Sequence, residues 1–88
     1  MTTEKQLNDI TEMAAALMLP KEIAILLGIN PDRFEHSLKH CPDSDWYKAF
    51  HKGRLQTKYE LRKKIVFLAK AGSPQAELLA DKYLQQTL

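Results

Sequence analysis

The placement of helix breakers constrains this chain most. Prolines, glycines and runs of small capping residues fall mainly at four places: Pro20, Gly28 to Pro31, Cys41 to Asp45, and Gly72 to Pro74. Pro20, Pro31 and Pro74 each suit the first position of a helix, where the N–H that proline lacks would have no partner anyway. Gly28 and Gly72 suit the left-handed residue that closes a helix. The intervals between these marks fit five helices, so the expected fold is all-α.

The first helix is expected from about Glu4 to Met18, capped by Thr2 or Thr3, with Leu7, Ile10, Ala14, Leu17 and Met18 recurring at helical spacing. The second follows Pro20 over Lys21 to Leu27, with Ile23, Ala24, Leu26 and Leu27 as its buried side. Asn30 caps the third, Pro31 begins it, and Phe34, Ser37, Leu38 and Cys41 form its inward face. Asp43, Ser44 and Asp45 are all capable of capping a fourth helix, which runs without proline from Trp46 to Ala71 and has Gly53 as its weak point. At about 100° per residue, Trp46, Phe50, Gly53, Thr57, Leu61, Ile65 and Leu68 share one side of it. Lys48, Lys52, Tyr59, Lys63 and Lys70 lie roughly opposite. Ser73 caps the last helix, whose apolar face is Ala76, Leu79, Ala80, Tyr83 and Leu84.

Pro20 to Leu38, PKEIAILLGINPDRFEHSL, holds the parts of a helix-turn-helix in order. Ala24 is small where two helices would cross, Gly28 permits the turn, and Ile23, Leu27, Ile29 and Phe34 pin the pair to the first helix. Residues 1–42 are therefore expected to form an N-terminal three-helix helix-turn-helix region. Residues 43–88 are expected to form a hairpin of the long basic helix and a short C-terminal helix. Such a motif aims the start of its second helix at the major groove of double-stranded DNA, making Asn30, Pro31, Asp32, Glu35, His36 and Lys39 its outward residues. Asp32 and Glu35 would repel phosphates, although a carboxylate accepts from a cytosine amino group. Packing alone also satisfies the same residues, because helix, glycine turn and helix recur in all-helical domains.

Net charge is only +2, but its placement is uneven. Residues 1–45 carry four basic groups against eight acidic ones, a balance of −4. In residues 46–72, Lys48, Lys52, Arg54, Lys58, Arg62, Lys63, Lys64 and Lys70 face only Glu60, a balance of +7. One acid cannot pair off that excess along the helix, so a contribution to DNA affinity is favoured over simple solvation. Arg54, Lys58 and Arg62 form a ladder at spacing four. With them, Lys21, Asn30, Arg33, His36 and Lys39 complete the candidate DNA-binding set.

KEIAILLGIN followed by DWYKAFHKGRLQTKYELRKKIVFLAKAGSPQAELLADKYLQ resembles the small DNA-binding proteins related to phage terminase small subunits, over about Lys21 to Gln85. The likeness lies in the order of parts: an EIA…LGI turn, an aromatic and a KG pair in the long helix, ELRKKI, an A-x-AG-x-P break and a closing K-Y-L helix. That resemblance implies a helix-turn-helix followed by a helical hairpin that assembles protomers. It also implies a role in recognising viral DNA for packaging, a large terminase subunit as partner, and the cytoplasm of a bacterial host cell as location. The alternative is a small oligomeric helical adaptor, or a transcriptional regulator without a packaging role. Apart from the resemblance, the apolar wrap around Val66, Phe67 and Leu68 exceeds what one short helix covers. A homo-oligomer through Val66, Phe67, Leu68, Leu79 and Tyr83 is therefore expected.

No nucleophile with a base, paired carboxylates or phosphate-cradling loop occurs at credible spacing, so the chain is not expected to be an enzyme or to hold a cofactor. His36, His40 and Cys41 could face zinc, but a closed site wants four converging ligands, and no metal is expected. Cys41 is the sole cysteine and reads as a small hydrophobe. The polar start, Met1 to Asn8, has no apolar signal core, and no later run is of membrane-spanning length, so no membrane partner is expected. A membrane-surface binder would keep Trp46, Phe50 and Leu61 accessible rather than buried.

Overall fold

The computed structural model describes residues 3–86, and these are 81% helical with no strand among them. The five helices are α1 (Glu4–Ala15), α2 (Pro20–Leu27), α3 (Pro31–His40), α4 (Asp45–Lys70) and α5 (Pro74–Gln85). The chain divides into two compact units, the first running to Thr57 and the second beginning at Lys58, with α4 continuous through the division. The first turns of α4 thus belong to the same unit as α1, α2 and α3.

Thr3 caps α1, its Oγ1 accepting from the Gln6 N–H at 3.1 Å; Thr2, the other candidate, lies outside the described residues. The helix stops at Ala15, three residues short of the expected Met18. Leu17 takes the left-handed conformation (φ 66°) and the Met18 N–H reaches back to the Met13 carbonyl at 3.2 Å. This is a glycine-type closure made without glycine. Leu17 consequently points to solvent instead of joining the core.

Pro20 and Pro31 begin α2 and α3 as expected. The Glu22 carboxylate accepts from the Leu19 N–H at 2.8 Å, fixing the first turn of α2. Gly28 has φ 71° and open space around its missing side chain, so conformation rather than crowding selects glycine there. The Ile29 N–H then bonds the Ala24 carbonyl at 2.9 Å, and Ile29 packs on the core.

Ile10, Ala14, Ile23, Ala24 and Phe34 are wholly buried in the first unit, with Leu38, Ala49 and Phe50 nearly so. Phe34 meets Trp46 edge-on at 5.5 Å between ring centroids and Phe50 at 6.5 Å, geometry favoured by the ring quadrupoles. Leu26, expected on the buried side of α2, is exposed. Its position is about 60° of helix from Ile23 and about 100° from Leu27, on the side away from Leu27, so those two, about 40° apart, can face the core without it.

At Gly53, α4 approaches the backbone of α1 closely. A Cβ built there would lie 2.1 Å from the Thr11 carbonyl oxygen and 3.0 Å from the Ala14 Cβ. The residue read as a weak point of α4 is a contact point where α4 lies directly on α1. Beside it, the Thr11 hydroxyl donates to the Ala49 carbonyl at 3.1 Å. The Thr57 hydroxyl donates to the Ala15 carbonyl, one of those left over at the end of α1.

The second unit has far less interior. Gly72 (φ 99°) closes α4, the Ser73 N–H bonds the Leu68 carbonyl at 3.1 Å, and the Ser73 Oγ caps α5 by accepting from the Ala76 N–H at 3.4 Å. Ala76 is the one buried hydrophobic residue described in this unit. Leu61, Leu68, Leu79 and Leu84, all expected on apolar faces, are exposed.

Candidate nucleic-acid interface

The α2–α3 pair presents its second helix through three intervening residues, Gly28 to Asn30. Burial of Phe34 and Leu38 at spacing four turns the other side of α3 outward, and Asp32, Arg33, His36, Lys39 and His40 are exposed on it. Lys21 is exposed on α2. Asn30 is exposed too, but its Oδ1 already accepts from the N–H groups of Asp32 (2.9 Å) and Arg33 (3.1 Å), so it caps α3 and leaves only its amide N–H₂ for a ligand. The rings of His36 and His40, one turn from each other, lie with centroids 4.9 Å apart and planes tilted by 46°. Lys39 and His40 sit in the last turn of α3, where positive charge is favoured by the helix dipole. Arg33 and Lys39 are matched in number by Asp32 and the half-buried Glu35, so α3 alone is not an electropositive surface.

The long-helix ladder separates into different roles. Arg54 is half-buried: its Nη2 donates to the Met18 carbonyl beyond the end of α1, and its guanidinium lies 4.8 Å from the Phe50 ring centroid. Its Nε is buried without a partner. Arg62 is also half-buried, over the Tyr83 ring at 4.3 Å with its Nε enclosed. Only Lys58 of the three is exposed. The two arginines use their planar heads to hold neighbouring helices, a task suited to guanidinium rather than ammonium.

Lys48 and Lys52, outside the DNA-binding set expected from the sequence, are exposed on α4 within the first unit. Their spacing opposite Phe50 marks them as outward, so the helical projection contained this information. His51 ties α4 to the end of α3. Its Nε2 lies 3.1 Å from the Leu38 carbonyl oxygen, to which the Nε2–H tautomer donates, and its ring packs on Tyr47 at 4.2 Å. Nothing local marks that role, which depends on α3 and α4 meeting. A cleft of about 370 Å³ opens beside it, with Glu35, Lys39 and His51 at its polar parts and Leu19, Leu38 and Phe50 as its apolar wall.

Among the described residues no cluster of three or more His, Cys, Asp or Glu side chains could hold a metal ion. No described helix is long and apolar enough to cross a membrane. Of the expected oligomerisation residues, Val66, Phe67, Leu68 and Leu79 are exposed and Tyr83 is half-buried beneath Arg62. No family model, no curated protein and no solved structure matches this chain.

Proposed function

We propose that this chain is a binding module for double-stranded DNA, without catalytic chemistry, in which α2, the Gly28 turn and α3 act as a helix-turn-helix. The observation that carries this reading is the glycine turn, which leaves α3 anchored by Phe34 and Leu38 and open along Arg33, His36 and Lys39. On this reading Arg33, His36 and Lys39 meet base edges or flanking phosphates. Lys21, Lys48 and Lys52 bind backbone, supplying the attraction that the balanced charges of α3 do not. Arg54 and Arg62 serve the fold instead. In its narrower form, carried by the motif order shared with terminase small subunits, the module marks viral DNA for a large nuclease-bearing subunit. In its broader form it is a phage or mobile-element regulator.

Anisotropy titration of a labelled duplex tests the reading. Binding is expected to fall steeply with salt, and Arg33→Glu with Lys39→Glu to weaken it at least about 10-fold. Trp46 emission, which reports on the first core, should stay unchanged. Absence of duplex binding at low salt would overturn the proposal and favour an adaptor. That second reading draws support from Ile25 and Leu26, two large apolar side chains exposed on α2.

A further inference from the structure

His36 and His40 stand one turn apart on the open side of α3, the spacing by which a single helix sets two imidazoles on one metal ion. Both side chains are exposed, and among the described residues their ring nitrogens have no hydrogen-bond partner. His51, the third histidine, differs in that its Nε2 is engaged with the Leu38 carbonyl. The helix beneath the pair is held in place, because Phe34 and Leu38 on its other side are buried and Asn30 caps its first turn. Two ligands on one such rigid turn meet an ion without the cost of ordering a loop.

Ring separation fits a shared ion. With a metal–nitrogen bond of about 2.0–2.1 Å and a ring nitrogen about 1.1 Å from its own centroid, each centroid stands about 3.2 Å from the ion. Two rings subtending about 90–110° at that ion then have centroids about 4.5–5.2 Å apart. The observed 4.9 Å lies inside this interval, so binding needs only rotation of the rings about their broad terminal torsions. Arg33 and Lys39 repel a cation, but Asp32 lies one turn before His36, and His40 occupies the last turn of α3, where the helix dipole favours positive charge.

We propose that His36 and His40 form a two-imidazole chelate for a borderline divalent ion of the Zn²⁺, Ni²⁺ or Cu²⁺ class. Among the described residues no third His, Cys, Asp or Glu side chain joins the pair, so the remaining coordination positions belong to water or to a donor from outside the chain. The site is therefore open and exchangeable rather than a closed structural centre. Ligand type disfavours Mg²⁺ and Ca²⁺, which take oxygen. A bound ion adds two positive charges to a helix whose Arg33 and Lys39 are matched in number by Asp32 and Glu35.

The proposal does not depend on the DNA reading, and its test contains no nucleic acid. The full chain carrying Cys41→Ser, which removes the sole thiol beside His40, is titrated by isothermal calorimetry with Zn²⁺ and separately with Mg²⁺. One Zn²⁺ per chain is expected, with no uptake of Mg²⁺ at the same concentrations. His36→Gln and His40→Gln, introduced singly, are each expected to weaken Zn²⁺ binding at least about 10-fold, because the second imidazole of a chelate acts at high effective concentration. Unchanged Trp46 emission shows that the first unit of each variant is folded. In proton NMR spectra the imidazole resonances of His36 and His40 are expected to move together as Zn²⁺ is added, and those of His51 to stay. Absence of Zn²⁺ binding up to about 1 mM free ion overturns the proposal. So does an equal response to Mg²⁺, or a pattern in which each single variant loses one ion and keeps the original affinity, as two independent histidines would.

Discussion

The two units of this molecule are built from the same helical material and reach different degrees of closure. The first brings four helical segments around Phe34 and buries eight side chains in one cluster. The second has two segments and leaves Leu61, Val66, Phe67, Leu68, Leu78 and Leu79 exposed. Two helices can cover only one stripe of each other, and a stripe that wraps α4 from Leu61 to Leu68 needs more neighbours than α5 supplies. Closure thus depends on the number of helices meeting, not on hydrophobic content.

The sharpest way to break this contrast is to remove one aromatic from each unit. Phe34→Ala is expected to destabilise the first unit by about 3–5 kcal/mol, enough to unfold a domain of this size. Phe67→Ala should change the stability of the dilute chain by less than about 0.5 kcal/mol, because its ring is mostly in water. Urea denaturation followed by Trp46 emission measures both, and equal effects would abolish the distinction.

A second change probes the contact of α1 with α4. Gly53→Ala would gain about 1 kcal/mol of helix propensity in an unpacked helix. Here its methyl meets backbone, so a net loss of about 1–3 kcal/mol is expected in the same titration. A stabilised Gly53→Ala variant would mean that α4 does not lie so close to α1. The smallest effect is expected at Leu17. Leu17→Gly relieves a left-handed leucine that contributes little burial, and should raise stability by about 0.5 kcal/mol after the added unfolded-chain entropy is counted. A loss greater than about 1 kcal/mol would assign Leu17 a packing role.

Much of the architecture was legible because proline and glycine act locally. Pro20, Pro31, Pro74, Gly28 and Gly72 stand at the helix ends that their covalent chemistry favours. The end of α1 was not legible, since Leu17 adopts a conformation its own chemistry disfavours and tertiary surroundings impose. For the candidate interface, helical spacing separated the outward Arg33, His36 and Lys39 from the inward Phe34 and Leu38. Charge counting did not foresee the half-burial of Arg54 and Arg62, because a tally of cations does not distinguish one in water from one lying over an aromatic ring. Phe50 is one turn from Arg54, but Met18 and Tyr83 lie far along the chain from the arginines they receive.

The bare backbone at Gly53 lets two cylinders nest more deeply than any other amino acid would permit. Polar groups at Thr11 and Thr57 can then bridge from one rod to the other at its two flanks. A bulkier residue there would act as a spacer, lifting the rods apart and stretching both bridges at once. One missing carbon thereby sets the thickness of the first unit.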